Sequence, residues 1–235
     1  RPKDMIQQQM AEYYGFVTHL DEQIGRILAA LKKRPDSENT YVIFTSDHGL
    51  SLGQHGLMGK QSLYEHSMKT PLIICGPNVP KGQSSSALTY LHDLHPTLLK
   101  LAGIDKTPAP RTADLAPIWQ GKKTSNRDTV FMGFYGKIRS IRDERWKLII
   151  YPEVNHTQLF DIQQDSLERV NLAEIAENEN IVSRLKASMQ DWQKTLGDKQ
   201  ALQTDKPKPK EVDYSSFKQR RDAWQPDWIY KKYFR

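Results

Sequence analysis

Residues 41–75 read YVIFTSDHGLSLGQHGLMGKQSLYEHSMKTPLIIC: two short apolar runs flank a segment rich in glycine, histidine and charge. The first run, Tyr41-Val-Ile-Phe-Thr-Ser46, is β-branched and aromatic without polar alternation, which predicts a strand covered on both faces. The second, Pro71-Leu-Ile-Ile-Cys75, has the same texture and predicts a partner strand, with Cys75 as a packed core thiol at its end. Upstream, from about Asp4 to Lys33, Tyr13, Val17, Leu20, Ile24, Ile27, Leu28 and Leu31 recur at spacings of three and four. That pattern predicts a one-sided helix seated on a sheet. Downstream, Leu91 to Gly103 predicts a further helix, with Asp93 capping its start, Pro96 in its first turn and Gly103 ending it. Helix, strand, long loop, strand and helix in this order predict an α/β architecture.

Beyond Thr107 the texture turns to Pro, Lys, Thr and Ser. Four runs then follow, Thr129 to Tyr135, Ile138 to Arg142, Trp146 to Tyr151 and Gln158 to Ile162, spaced for an antiparallel meander. A helix over Asn178 to Leu196, with Ile181, Leu185, Met189 and Trp192 on one side, closes this part. The expected divisions are residues 1–106 as α/β, 107–197 as a smaller α+β subdomain with an antiparallel sheet, and 198–235 as a basic, aromatic tail. Lys206-Pro-Lys-Pro-Lys210 reads as a linker. Phe217, Trp224, Trp228, Tyr230, Tyr233 and Phe234 predict that the tail packs on the body.

With 235 residues, 37% hydrophobic, the chain is long enough to bury a core, which excludes wholesale disorder. A single cysteine excludes a disulfide scaffold and a multi-thiolate zinc site. No apolar run is long enough to span a bilayer, and residues 1–30 lack the pattern of a secretory signal. The net charge of +6 is concentrated in residues 206–235, with nine basic against four acidic residues, leaving 25 against 24 in the remainder. The body therefore offers no reason to expect nucleic acid as a partner.

Chemistry concentrates in residues 45–60. This segment leaves the carboxyl end of a strand, where ligands gather in α/β folds. Asp47 and His48 suit an acid–base pair or two ligands of a divalent ion. Lys60 adds a fixed positive charge, His55 a second imidazole, and the intervening glycines allow close approach to a ligand. On spacing alone, a helix cap or a surface loop accounts for the same residues equally well. Arg139, Arg142 and Arg145 are candidates for gripping an acidic or sulfated sugar, because a guanidinium binds such groups as a fork. His19, Asp21, His66, Lys69, His92 and His95 read as surface, capping or supporting groups.

The stretch Thr45 to Pro77 resembles the second metal-binding segment of the type I, formylglycine-dependent sulfatases of the alkaline phosphatase superfamily. YYGFVTHLDEQIGRILAAL and LHDLHPTLLKLAGI resemble the helices on either side of it in that family. RSIRDERWKLIIY and LFDIQQDSLERVNLAE resemble its C-terminal subdomain, with Ser166 following Asp165 where the family usually has proline. The resemblance runs in order from Tyr13 to Trp192 and covers only the C-terminal portion of the family's length.

This resemblance implies an alkaline-phosphatase-like sandwich, a mostly parallel sheet flanked by helices. It implies Asp47 and His48 as ligands of one Ca2+, Lys60 as the group contacting sulfate oxygens, and His55 as a substrate-facing residue. The formylglycine nucleophile and the other metal carboxylates belong, in that family, to an N-terminal half. Cys75-Gly-Pro-Asn-Val79 has Val79 where the nucleophile motif requires arginine. The implied protein is the C-terminal portion of a calcium-dependent sulfatase acting on sulfate esters, with a sulfated sugar as candidate substrate and the N-terminal half as its partner. The family further implies a periplasmic or secreted location. A phosphonate monoester or phosphodiester hydrolase of the same superfamily and a non-catalytic accessory module stand as alternatives.

Overall fold

The computed structural model describes residues 3–104, 111–213, 215 and 227–233. Helix α1 (Lys3–Lys32) spans the predicted periodic stretch, yet none of its residues is buried. Val17, Leu20, Ile27 and Leu28 all lie exposed, so the sheet expected beneath this helix is not among the described residues. Strand β1 (Val42–Thr45) leads into the glycine-rich segment, which carries the two-residue strands β2 (Ser51–Leu52) and β3 (Met58–Gly59). The short helix α2 (Glu65–Met68) and strand β4 (Leu72–Cys75) follow.

β1 and β4 pair antiparallel, with Val42 opposite Cys75 and Thr45 opposite Leu72. The two strands were expected to lie in a mostly parallel sheet with both faces covered. Instead Phe44, Leu72 and Ile73 are exposed, and Cys75 is an exposed thiol rather than a packed one. The reason is local: the pair stands without a third strand or a covering layer among the described residues.

The predicted third helix divides into a 3-10 turn, Leu91–Asp93, and α3 (Leu94–Leu101). Asp93 caps the start of this stretch, as expected, but from its third position, in a capping box with Tyr90. Its buried carboxylate accepts the Tyr90 and Ala113 backbone N–H groups and both arms of the Arg127 guanidinium. These bonds tie α3 to the segment that follows. The short helix α4 (Ala116–Trp119) leads to the meander. The expected boundary between residues 106 and 107 lies outside the described residues.

Strands β5 (Val130–Phe134), β6 (Ile138–Arg142), β7 (Trp146–Tyr151) and β8 (His156–Asp161) form one antiparallel sheet in chain order. Ile141 faces Leu148 across one ladder and Leu148 faces Leu159 across the next. Side chains alternate between the faces of a strand. Accordingly Leu148 and Ile150 join Phe131, Ile141 and Leu159 against Leu185, Met189 and Trp192 of helix α5 (Glu179–Leu196). Burying each of these three α5 side chains contributes about 1.5 to 3 kcal/mol before chain entropy is subtracted. Ile149 points the other way and joins Phe160, Ile162, Leu63 and Tyr64. The second face thus lies against the segment that enters α2.

The linker returns to the sheet: the Lys208 backbone N–H donates to Glu153 O at 2.8 Å, and its Nζ pairs with the Glu153 carboxylate at 2.9 Å. Helix α6 (Asp227–Tyr233) reaches α1 through an ion pair between Lys232 and Glu12. Phe217, Trp224 and Phe234, and the side chains of Tyr230 and Tyr233, lie outside the described residues, and Trp228 is exposed.

Candidate functional site

Asp47 and His48 stand in the turn immediately after β1. The Asp47 carboxylate accepts the His48 backbone N–H at 3.0 Å, and Ser46 Oγ donates to His48 O at 2.8 Å. These local bonds hold a tight turn that strand pairing does not reach. His48 Nδ1 lies 2.9 Å from Gly49 O, and Lys60 Nζ lies 2.6 Å from His48 Nε2. An ammonium only donates, so Nε2 is the acceptor and Nδ1 carries the proton given to Gly49 O. Asp47 Oδ2 sits 3.2 Å from the same Nε2. Two lone-pair donors therefore converge, with a lysine ammonium beside them as their cation.

The sequence separation of twelve residues between His48 and Lys60 is bridged by the β2–β3 hairpin, whose register pairs Ser51 with Gly59. Ser51 is fully buried and donates to Gln54 O and Leu57 O, fixing the inside of that hairpin. The Asp47 side chain is 74% exposed. What desolvation it suffers pushes its carboxyl up, but the neighbouring His48, the backbone N–H groups and the Lys60 ammonium outweigh this, leaving it below the usual carboxylate range.

His55 departs from the expected cluster. Its ring stacks on Tyr64 with centroids 3.9 Å apart and planes 5° from parallel, and Nε2 lies 3.1 Å from Leu167 O. It therefore docks on the turn after β8, away from the Lys60 contact with His48. His66 sits beside it, with ring centroids 5.7 Å apart. Burial, the neighbouring His55 and Lys147 together lower the His66 pKa to about 4, so its ring is neutral near pH 7.

The three arginines proposed to grip a sugar are already engaged. Arg139 is buried; Nε and Nη2 form a fork on Asp198, and Nη1 donates to Tyr135 O and Ile138 O. That fork holds the Asp198 carboxyl far below its ordinary range. Arg139 thus serves packing inside the sheet rather than offering its guanidinium to a ligand. Arg142 pairs with Glu65, and Arg145 pairs with Asp161 at 2.7 Å while lying over the Trp146 ring.

The family model for Sulfatase matches residues 2–104. An N-acetylglucosamine-6-O-sulfatase of Bacteroides thetaiotaomicron is 31% identical over 205 residues, covering 82% of this chain and 37% of the relative. This chain belongs to the sulfatase family. Among solved structures, a protein bound to its substrate D-glucosamine-2-N,6-O-disulfate superposes with a TM-score of 0.77 at 30% identity, over 83% of this chain and 42% of that one. A phosphonate monoester hydrolase from Silicibacter pomeroyi superposes with a TM-score of 0.73 at 28% identity, over 83% of this chain and 42% of that one. These neighbours carry the alkaline-phosphatase-like α/β fold expected from the sequence. The chain spans about a third of the length of the curated sulfatases it matches, 34 to 37%.

Among the described residues no three His, Cys, Asp or Glu side chains are grouped to hold a metal ion. Asp47 and His48 nonetheless fit one: the proton on Nδ1 fixes the tautomer that turns the Nε2 lone pair toward a cation, next to a carboxylate oxygen. Calcium takes six to eight oxygen-rich ligands, so this pair serves it only with further donors.

The residues that sequence reasoning missed are Glu65, Lys147 and Glu168. Lys147 is completely buried, with Nζ 3.0 Å from Glu65 and 2.8 Å from Glu168. One signal was present: a lysine inside an otherwise apolar strand requires a buried counter-ion.

Proposed function

We propose that this chain is the C-terminal portion of a calcium-dependent sulfatase that hydrolyses sulfate esters of carbohydrates. The observation that carries the reading is the convergence of Asp47, His48 and Lys60 on one point in the segment that the family model covers. Calcium, when bound, supplies charge neutralisation of the sulfate, and the formylglycine nucleophile comes from the part of the relatives' length that this chain does not span. Asp47 and His48 would hold the cation, and Lys60 would meet a sulfate oxygen and stabilise the charge that builds there. His55 Nε2–H is committed to Leu167 O, so its Nδ1 edge is the one left to meet substrate.

The exposed apolar faces of α1 and of the β1–β4 pair support the remaining part of the enzyme as a partner, because apolar surface of this extent is seldom left in water. A sulfated sugar is favoured as substrate by the glucosamine disulfate bound to the solved neighbour. A periplasmic or secreted location accords with such a substrate; no described helix is long and apolar enough to cross a membrane.

In the full-length enzyme, Asp47→Ala and Lys60→Ala are each expected to lower turnover of an aryl sulfate about 100-fold or more. Unchanged turnover in either variant removes the reading. The phosphonate monoester hydrolase neighbour supports a second reading, hydrolysis of phosphonate or phosphate esters, and a higher kcat/KM on those esters than on sulfate esters decides for it. An accessory module without catalysis is the outcome if no nucleophile-bearing segment is joined to or copurifies with this chain.

A further inference from the structure

The buried charges missed by sequence reasoning lie between the four-stranded sheet and the candidate site. Lys147 Nζ, fully buried on β7, bridges Glu65 Oε1 at 3.0 Å and Glu168 Oε1 at 2.8 Å. The other Glu65 oxygen pairs with Arg142 of β6. Two cations and two carboxylates thus balance. Glu168 Oε2 also accepts the Glu65 backbone N–H at 2.6 Å, at the first residue of α2. Glu168 has a φ of 55°, in the left-handed region that a non-glycine residue adopts at a cost. Asp165 supports this turn by accepting the Arg169 and Val170 N–H groups at 2.6 and 2.9 Å.

Both arms of the candidate site rest on α2. Ser67 O accepts the Gly49 N–H at 2.8 Å, one residue beyond His48. The approach is so close that a Cβ at Gly49 would lie 2.1 Å from His66 O, which only glycine permits. Ser67 Oγ meets Ser62 Oγ at 2.9 Å, two residues beyond Lys60, and Ser62 N–H donates to Lys60 O at 2.8 Å. The same 165–170 turn holds His55 through Leu167 O.

We propose that Lys147 and Glu168 are positioning residues: through Glu65 they lock α2, and α2 sets the spacing between the Asp47–His48 turn and Lys60. The proposal rests on the reading of those three residues as the site, but its readout does not require catalysis. Removing one member of a buried ionic set leaves an uncompensated charge, whereas removing a cation and an anion together restores balance. Lys147→Met strands two carboxylates against Arg142. Lys147→Met combined with Glu168→Gln leaves Glu65 paired with Arg142 and keeps a side-chain carbonyl for the Glu65 N–H.

The test is hydrogen exchange in the full-length polypeptide, compared between peptides covering residues 47–52 and peptides covering β7 and β8. Lys147→Met is expected to speed exchange at the Gly49 amide about tenfold or more while β7 and β8 keep their protection. The double variant is expected to bring Gly49 back toward the wild-type rate. The proposal is overturned if Gly49 is unaffected, if β7 and β8 lose protection to the same extent, or if the double variant exchanges as fast as the single. Should Lys147→Met not fold, Glu168→Gln alone carries the test, with faster Gly49 exchange expected and an unchanged rate overturning the proposal. Turnover of a sulfate ester by the wild-type enzyme tests the sulfatase reading separately.

Discussion

Helix α1 and helix α5 have similar apolar spacing and opposite fates. Leu185, Met189 and Trp192 of α5 vanish into a core shared with the sheet, while α1, 30 residues long, buries none. The same contrast separates the strands: β7 carries four successive buried residues, and β4 carries three exposed residues of four. Periodicity tells which face of an element is apolar; it does not tell what covers that face. In this chain one region carries its own cover and the other presents a surface suited to receive one.

Substitutions in the two regions put this contrast to the test. The largest effect is expected at Leu148 or Leu159, both fully buried, where truncation to alanine should lower unfolding free energy by about 2 to 5 kcal/mol in urea denaturation. Arg139→Met should cost about 2 kcal/mol by stranding Asp198, with KM for a sulfate ester unchanged; a raised KM would return Arg139 to substrate binding. His66 gives a smaller, pH-dependent effect. Its folded pKa, about 4, lies below the unfolded value of 6.5, so between these values the unfolded chain binds more protons and stability falls as pH falls. His66→Gln should remove about 1 kcal/mol of the stability difference between pH 7 and pH 4, allowing for solvent screening of this part-exposed ring. The smallest effect is expected at Ile27, 67% exposed, where alanine should change the stability of this chain by less than about 0.5 kcal/mol. A larger loss in the full-length enzyme would locate the covering surface on α1.

Local pattern made most elements legible. Ile138–Arg142 and Trp146–Tyr151 occupy the predicted residues, and α5 differs by one residue at its start. That Asp47, His48 and Lys60 lie together was legible because they share one short segment. Cys75 and the covering of β1 and β4 were misread because burial depends on neighbours that pattern does not reveal. Glu65 and Glu168 were invisible for another reason: 82 residues separate Glu65 from Lys147 and 103 separate it from Glu168. Arg139 drew attention as a charge, when Asp198, 59 residues away, had already claimed it.

The pair between Lys232 and Glu12 joins residues 220 positions apart. It closes nearly the whole polypeptide into a ring whose clasp is electrostatic and half open to solvent, at 36% and 46% exposure. Loop closure of this length is entropically costly, and a clasp of this kind is screened once the Debye length shrinks to about 3 Å near 1 M salt. Ionic strength is therefore a selective reagent for this molecule: it loosens the attachment of the last helix to the first while leaving the apolar interior of the sheet intact.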